Sequence, residues 1–321
     1  MCNVSPESVK VPVTVDGRDL VLSNLEKVLY PEVGFAKGQV LDYITRIAPA
    51  MLPHLRNRPV TFKRYPNGVD GMFFFEKNAP KHRPDWFRTV TLASPGSTRG
   101  TETIAYGLID DLPGLVWAAN LAVLEFHTPL WRVDDNGEPL NPDLLVFDLD
   151  PGAPADIVQC CEVALAVRDV MAEDGMTVYP KTSGSKGMQV YVGLDGSRPW
   201  QEVHALAKSV AQRLEKEMPE LVVHQMKKDL RHGKVLVDWS QNNSAKTTIS
   251  VYSMRARPRP TVSTPVTWDE VQACLDARDP SLLVFTTDMV LERVESMGDL
   301  FAPLLSTTAD AKAEPKAKAR R

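Results

Sequence analysis

Apolar residues along this 321-residue chain recur with two different periods. Helical spacing follows Pro154 and again Trp200, and it predicts one amphipathic helix in each place. Alternating or continuous apolar runs predict strands near 59–65, 72–76, 144–150, 188–194, 234–239 and 247–255. The mixture has no visible internal repeat and predicts a mixed protein of the α/β or α+β class.

The positions of loop-forming residues indicate the domain organisation of the chain. Stretches rich in proline, glycine and asparagine predict loops at 84–101 and 134–139. No long linker interrupts the pattern, so we expect a short N-terminal segment, 1–20, followed by one domain of two interleaved lobes, 21–303. The basic, low-complexity end, 304–321, has nothing to bury and is expected to be disordered. It would either add weak affinity for a polyanion or have no role.

Composition narrows the class of protein. A hydrophobic content of 43% is enough for a large core, and the net charge of −4 argues against binding nucleic acid by bulk charge. A local basic cleft remains compatible with that charge. No apolar stretch approaches the roughly 20 residues of a membrane span and no signal peptide is visible, so we expect a cytoplasmic protein without a membrane partner. Four cysteines without a CxxC pair predict buried thiols rather than zinc ligands.

The strongest chemical signal is a pair of acids at the end of an apolar run. Asp148 and Asp150 lie two residues apart, so a strand directs both carboxylates to one face. Adjacent carboxylates raise each other's pKa unless a hard cation neutralises them. Asp238, at the end of another apolar run, would add a third ligand and suits two metals on a triphosphate. The alternative interpretation is a turn, because Asp is common before Pro-Gly.

Several polar groups are compatible with phosphate binding but are not specific for it. The segment 181–187 combines hydroxyls, glycines and lysines before an apolar run, which suits phosphate oxygens or else a polar hairpin. Arg255, Arg257 and Arg259 would share one side of an extended segment, as a phosphate-binding row or a protected edge strand. The triplet 73–75, Phe-Phe-Phe, is more typical of a core than of a base-stacking platform.

Six strings in one order carry a family resemblance. The strings are Asn24–Pro31, Arg58–Arg64, Phe74–Asn78, Phe147–Pro151, Lys181–Gly187 and Val237–Asn242. From about residue 20 to 300 the chain resembles the polymerase domain of bacterial ATP-dependent DNA ligase D, of the archaeo-eukaryotic primase superfamily, including its standalone actinobacterial relatives. The resemblance implies a primase-like fold, in which helices flank a central, mostly antiparallel sheet and the active site occupies a cleft between sheet lobes.

The resemblance also implies roles for individual residues. Asp148, Asp150 and Asp238 would be catalytic and hold two ions of Mn²⁺ or Mg²⁺. The incoming NTP or dNTP would contact Lys63, His127, Ser183, Lys186, Gln241 and Arg255. The DNA would contact Asn24, Lys27, Lys37, Phe74, Phe75 and Arg231. Within the last group, Asn24, Lys27 and Lys37 would bind the 5′-phosphate beyond a gap, and the two phenylalanines would support the templating base.

The implied function is template-dependent addition of ribo- or deoxynucleotides to a primer 3′-hydroxyl. The substrate would be gapped or broken double-stranded DNA with a 5′-phosphate, in the bacterial nucleoid. Because only the tail follows residue 300, the domain would act alone or in trans, with an ATP-dependent DNA ligase and a Ku-type end-binding protein as candidate partners. Family membership suggests a preference for ribonucleotides and Mn²⁺. Two alternatives stay open: a DNA-end recognition module that recruits a ligase, and a primase that starts chains without a primer.

Overall fold

The computed structural model describes residues 10–94 and 102–309. The strands are β1 (Lys10–Val15), β2 (Arg18–Ser23), β3 (Val28–Tyr30), β4 (Phe35–Ala36), β5 (Pro59–Arg64), β6 (Phe74–Glu76), β7 (Thr89–Ala93), β8 (Thr103–Leu108), β9 (Val123–Thr128), β10 (Trp131–Val133), β11 (Pro139–Pro142), β12 (Leu144–Pro151), β13 (Val178–Thr182), β14 (Met188–Gly193), β15 (Val222–Val223), β16 (Val235–Asp238) and β17 (Thr248–Ile249). The α-helices are α1 (Lys37–Leu55), α2 (Leu112–Asn120), α3 (Ile157–Glu173), α4 (Trp200–Glu217), α5 (Trp268–Ala277), α6 (Thr287–Met297) and α7 (Pro303–Ala309). Short 3₁₀ helices occur at Pro31–Val33, Lys228–Leu230, Trp239–Gln241 and Pro280–Leu283.

The chain folds into two compact units, each assembled from several segments. The first unit lies within Met1–Thr128, Tyr252–Val262 and Phe285–Ser296, and the second within Pro129–Val251, Ser263–Val284 and Met297–Arg321. In the first unit, β5 pairs antiparallel with β6, β8 and β9, and β7 pairs with β8. In the second, a five-stranded sheet has the order β13-β14-β12-β16-β15, and its pairs are antiparallel except β15 with β16. Each unit therefore has its own largely antiparallel sheet.

The sheet of the second unit is organised around β12. Leu145, Phe147 and Leu149 have no solvent exposure, while the alternating Asp148 and Asp150 lie on the other face. Helix α3 packs against this strand and begins with a capping box, in which the Asp156 carboxylate accepts from backbone amides of the first turn. The strand is thus held firmly on its apolar face, which fixes where its two carboxylates point.

Most of the predicted elements are confirmed. The mixed α/β class is confirmed, as are both predicted helices and the strands at 59–65, 72–76, 144–150, 188–194 and 234–239, within a residue or two at their ends. Cys160, Cys161 and Cys274 are buried free thiols, whereas Cys2 lies outside the described residues. Within 10–94 and 102–309, no helix is both long and apolar enough to cross a bilayer.

Other expectations were wrong. Of the strand expected at 247–255, only Thr248–Ile249 forms. The stretch expected as a loop at 84–101 contains β7, and its last seven residues lie outside the described part. Helix α7 continues to Ala309, so the segment expected to be disordered from 304 begins inside a helix; the rest of it, from 310, is outside the described residues. The hairpin of β1 and β2 occupies much of the expected N-terminal segment. The exact limits of the domain stay a prediction.

One side chain substitutes for a missing strand partner along β12. Beyond the part of β12 that pairs with β16, the Asn242 amide oxygen accepts from the Val146 amide at 2.9 Å and its Nδ2 donates to the Val146 carbonyl at 2.7 Å. The asparagine is 3% exposed. Because the interior offers no water to these backbone groups, the side chain acts as a short backbone segment would.

We expect Asn242→Ala to lower the free energy of unfolding by roughly 2 kcal/mol or more, since it leaves a buried donor and a buried acceptor without partners. The matched control is Asn243→Ala, which removes one exposed hydrogen bond to the Ala245 amide. Urea unfolding followed by circular dichroism measures both. Equal losses in the two variants would show that Asn242 does not support β12.

Candidate active site

The three predicted acids lie on neighbouring positions of two adjacent strands. Asp148 and Asp150 are on the same face of β12, and Asp148 is directly opposite Asp238 of β16. Asp150 is exposed, Asp148 is partly buried, and Asp238 is 7% exposed. Solvent exposure therefore decreases from Asp150 through Asp148 to Asp238, and the three carboxylates line this face from the solvent inward.

The electrostatics of Asp148 reflect this crowding. Burial, followed by the negative charges of Asp150 and Asp238, raises the pKa of Asp148 to about 7. The Gln189 amide, which donates to the Asp148 carboxylate at 3.1 Å, and the positive charge of Lys181 oppose the shift. Burial and the neighbouring acids thus disfavour the ionised form of Asp148.

Asp238 is held by its own turn. Its Oδ1 accepts from the Ser240 amide and hydroxyl at 2.9 and 2.5 Å, and its Oδ2 accepts from Gln241 Nε2 at 2.8 Å. The predicted residue Gln241 is thus placed beside this acid. Within the described ranges, no three acidic, histidine or cysteine side chains are arranged as a ready metal cage. The donor set of carboxylate oxygens and the raised pKa of Asp148 nonetheless fit a hard divalent cation.

The predicted phosphate-binding segment lies beside β12. The Ser183 hydroxyl accepts from the amides of Ser185 and Gly187 at 3.3 and 3.2 Å, and Lys186 is exposed. Gly187 approaches the Leu149 carbonyl so closely that a Cβ would collide with it. The glycine therefore allows the segment 183–187 to approach the stretch of β12 that carries both acids.

A second close approach brings Arg231 to the same strand end. Gly152, which follows the two acids, would collide with the Arg231 carbonyl if it carried a Cβ. The Gly233 amide also donates to the Gly152 carbonyl at 3.0 Å. The Arg231 guanidinium donates to the Met226 carbonyl at 2.6 Å. Within the second unit, the structure thus groups Ser183, Lys186, Arg231 and Gln241 around the acidic strands.

In the first unit, three predicted cationic or basic groups meet at one buried acid. Glu125, on β9, is 2% exposed. Lys63 Nζ lies 3.4 Å and His127 Nε2 lies 3.0 Å from Glu125 Oε2, and Arg255 Nε lies 3.4 Å from Oε1. The structure therefore brings Lys63, His127 and Arg255 together, as a group that can attract a polyanion.

Both titratable groups at the centre of this cluster are shifted. Burial opposes ionisation of Glu125, but the hydrogen bond of His127 and the charges of Arg255 and Lys63 outweigh it and hold its pKa well below the usual range. Burial lowers the pKa of His127, although the hydrogen bond with Glu125 raises it in part. At neutral pH the cluster therefore contains an anionic Glu125 beside two permanent cations.

The aromatic triplet is not part of the core, contrary to expectation. Phe73, Phe74 and Phe75 are 52%, 44% and 44% exposed. Strand β6, which contains Phe74 and Phe75, is three residues long and pairs with β5. The Phe75 ring lies 5.6 Å from the His127 ring. An exposed aromatic group next to a cationic cluster suits a nucleobase beside its phosphates.

The residues predicted to bind a 5′-phosphate also lie together in the first unit. Lys37 begins helix α1, and its backbone amide donates to the Lys27 carbonyl at 2.9 Å. Asn24 has a left-handed backbone, φ 55°, and its carbonyl accepts from the Lys27 amide. Burial and, secondarily, the charge of Lys27 lower the pKa of Lys37 to about 8. Two lysines at a helix N-terminus form a site to which an anion would be attracted.

The expected arginine row does not form. The segment after Met254 turns back on itself, because the Arg255 amide donates to the Thr261 carbonyl and the Thr261 amide to the Arg259 carbonyl, both at 2.8 Å. Arg257 and Arg259 are exposed, whereas Arg255 is directed to Glu125. Prolines at 258 and 260 favour this bend rather than an extended strand, so only Arg255 joins the cluster.

Two residues at the centre of these groups were missed in the sequence. Glu125 precedes His127 by two positions, so strand alternation places both on one face, but nothing in the sequence shows what lies opposite. Gln189 supports Asp148 from the neighbouring strand, and the Tyr191 hydroxyl in turn donates to Gln189 at 3.3 Å. Cross-strand register determines both relations, and register is not readable from one strand alone.

Comparison with known proteins identifies relatives of the whole arrangement. The family model described as the primase-polymerase domain of LigD matches residues 36–301. The multifunctional non-homologous end joining protein LigD of Mycolicibacterium smegmatis is 46% identical over 283 residues, covering 88% of this chain and 36% of the relative. The bifunctional non-homologous end joining protein LigD of Bacillus subtilis is 30% identical over 280 residues, covering 87% of this chain and 43% of the relative.

A solved structure agrees with the fold. The polymerase domain from Mycobacterium tuberculosis ligase D, in complex with DNA, superposes with a TM-score of 0.83 at 44% sequence identity. The match covers 89% of this chain and 98% of that one. The chain thus spans less than half of the curated relatives but corresponds to nearly all of a separately solved polymerase domain.

The raised pKa of Asp148 predicts a specific pH dependence of stability in chelator-treated protein. Its pKa is about 7 in the folded chain against about 4 when unfolded, so its stabilising contribution is complete below pH 4 and is lost as pH rises through 7. Between pH 5 and 8 we expect wild type to lose about 2 kcal/mol more than Asp148→Asn in free energy of unfolding. Urea unfolding at both pH values tests this, with Asp195→Asn as an exposed control. Parallel losses in wild type and Asp148→Asn would contradict it.

Proposed function

Because this chain belongs to the family of LigD primase-polymerase domains, we propose that it adds nucleotides to a primer 3′-hydroxyl, directed by a template strand, at short gaps or broken ends of DNA. The observation that carries the proposal is the pairing of Asp148 with Asp238 beside Asp150. That a similar polymerase domain was solved in complex with DNA supports DNA as the substrate.

The acids of β12 and β16 are the proposed metal ligands. Asp148, Asp150 and Asp238 would hold two ions of Mn²⁺ or Mg²⁺, because their oxygens are hard donors and their mutual repulsion favours a cation. When bound, such ions would acidify the primer hydroxyl and neutralise charge on the departing pyrophosphate. The protein's own contribution is to keep the carboxylates adjacent: Gln189 orients Asp148, and the turn at 239–241 orients Asp238.

Each unit contains proposed ligands of the incoming nucleotide's triphosphate. Lys63, His127 and Arg255 supply donors from the first unit, and Ser183, Lys186 and Gln241 supply them from the second. Cationic groups already held beside a buried carboxylate lose little freedom when phosphate binds. The exposed rings of Phe74 and Phe75 would stack against the templating base, and Arg231 would contact the DNA.

Recognition of the downstream end is proposed for the start of α1. Asn24, Lys27 and Lys37 would bind the 5′-phosphate on the far side of the gap, where two ammonium groups and a helix N-terminus favour an anion. The relatives are end-joining proteins in which this region is about a third of the chain, so an ATP-dependent ligase and a Ku-type end-binding protein are the proposed partners. The proposed setting is the repair of double-strand breaks.

We expect Asp148→Ala to abolish primer extension, with loss of at least about 100-fold, while the affinity for gapped DNA changes little. The matched control is Asp195→Ala. Asp195 is exposed, and its carboxylate accepts hydrogen bonds from the amide and the hydroxyl of Ser197 within its own turn. Extension of a labelled primer on a short gapped duplex, with Mn²⁺ or Mg²⁺, measures the reaction. Full extension by the Asp148 variant would refute the metal assignment. Binding without extension by wild type would favour a DNA-end recognition module instead.

A pH-dependent response to the 5′-phosphate is expected from Lys37. Its pKa of about 8 means that its positive charge, present at pH 7, is lost as pH rises above 8, whereas bound phosphate opposes that loss. The preference for 5′-phosphorylated over unphosphorylated gaps should therefore weaken between pH 7 and 9.5. It should be reduced at both pH values in Lys37→Ala. Binding of fluorescent gapped duplexes measures the preference; an unchanged preference in Lys37→Ala would place the phosphate elsewhere.

A further inference from the structure

Glu125 occupies the middle of a cross-strand row on one face of the first unit's sheet. In the pairing register, Lys63 of β5 lies opposite Glu125 of β9 on one side and opposite Phe75 of β6 on the other. His127 lies two residues further along β9, on the same face as Glu125. The row therefore has a buried acid at its centre, with an exposed aromatic ring at its edge.

The Glu125 carboxylate contacts the three proposed triphosphate ligands of this unit and the backbone of the segment that carries one of them. Its Oε2 contacts Lys63 and His127, and its Oε1 contacts Arg255 and accepts from the Ala256 amide at 3.1 Å. The last bond ties the turn 255–261 to β9, so Glu125 fixes the backbone that carries Arg255 as well as its side chain. One acid thus sets the position of three groups from three separate parts of the chain.

The Lys63 ammonium is further confined by aromatic rings. It lies 4.8 Å from the centre of the Phe73 ring and 5.3 Å from that of Tyr65, in addition to its ion pair with Glu125. A lysine side chain normally samples many rotamers, and confinement by two ring faces and a carboxylate removes most of them. The ammonium is therefore held in place before any phosphate arrives.

We propose that Glu125 is a positioning residue for nucleotide binding: it holds Lys63, His127 and Arg255 in the arrangement that receives the triphosphate. This inference rests on the proposed function, because it takes those three groups as triphosphate ligands. A carboxylate beside phosphate-binding cations weakens their net attraction for an anion. Its presence in the buried centre of the cluster is therefore explained by the geometry it imposes, and not by any contribution to the net charge.

The test uses Glu125→Gln, which keeps the size of the side chain and the acceptor for Ala256 but removes the charge. Steady-state primer extension gives KM for the nucleotide and kcat, and calorimetry gives the affinity for inorganic tripolyphosphate without DNA. We expect the nucleotide KM to rise about tenfold, with a similar weakening of tripolyphosphate binding. The change in kcat and in DNA affinity should be smaller. Glu125→Asp, which keeps the charge, should lie nearer to wild type.

A matched control is available on the same strands. Glu76 of β6 forms an ion pair with Arg64 of β5 at 3.0 Å, and Arg64 follows Lys63 on the opposite face. Glu76→Gln removes an ion-paired acid from outside the cluster, although the Glu76 side chain is 29% exposed against 3% for that of Glu125. We expect it to leave the nucleotide KM and tripolyphosphate binding within about twofold of wild type. If both variants weaken nucleotide and tripolyphosphate binding equally, the loss of any ion pair in this sheet has the same effect. That result would overturn the proposal.

The outcomes separate this inference from the proposed function. Tighter binding of tripolyphosphate by Glu125→Gln would overturn the positioning role, because the acid would then only reduce the attraction of the cluster for an anion. Unchanged KM and binding would overturn it as well. If wild type does not extend primers, the proposed function fails, and the tripolyphosphate comparison still tests the role of Glu125. If Glu125→Gln shows no thermal unfolding transition and so does not fold, the test uses Glu125→Asp, whose shorter side chain draws the carboxylate away from Lys63 and Arg255. A smaller weakening of tripolyphosphate binding is then expected, and unchanged binding would overturn the positioning role.

Discussion

Repulsion among the carboxylates of Asp148, Asp150 and Asp238 is the constraint on which the second unit depends. Side chains two apart on β12 and opposite each other on β12 and β16 cannot move away without breaking the strand register. The surrounding structure resists this repulsion. Gln189 hydrogen-bonds Asp148, and Asn242 secures the length of β12 that no strand covers on that side. The sheet therefore holds in place an unfavourable arrangement of charge, which is a common property of functional sites and which the proposed cation would relieve.

The first unit contains the opposite arrangement. There Lys63, His127 and Arg255 lie close together, and the buried Glu125 carboxylate offsets the repulsion among positive charges. Removing one partner from such a buried cluster leaves uncompensated charge, so the cluster is held together as a whole. The exposed rings of Phe73 and Phe75 lie beside the cluster, next to Lys63 and His127 respectively, and form an apolar surface suited to the proposed nucleobase contact. Each unit thus has its own group of donors: in the second unit the carboxylates proposed as metal ligands, and in the first the side chains proposed as phosphate ligands.

The sequence predicted those features that depend on one segment and its period. The strand at 144–150 with its two acids, and helices α3 and α4, follow from spacing alone. Helix α1 was not predicted. It contains Pro49 and Pro53, and tertiary packing of its buried face outweighs their cost. The strand at 247–255 was wrong because the apolar run 249–254 is buried in turns, not paired along its length. Lys63 and Arg255 come to Glu125 from two other segments, and only the fold brings them together.

Asp148, a proposed metal ligand, and Glu125, a proposed positioning residue, differ in the charge of their neighbours. Asp148 and Glu125 are both taken from water, which alone would raise the pKa of each. The neighbours of Asp148 are mainly acids, and its pKa rises to about 7; those of Glu125 are His127, Arg255 and Lys63, and its pKa falls. Glu125 already has its positive charge within the fold, so it has no reason to bind a further cation. The main charged neighbours of Asp148 are acids, with Lys181 as a weaker opposing charge, which agrees with its proposed role as a metal ligand. The charge of the neighbours, more than burial or residue type, therefore decides the direction of each shift, in agreement with the roles proposed for Asp148 as a metal ligand and for Glu125 as a positioning residue.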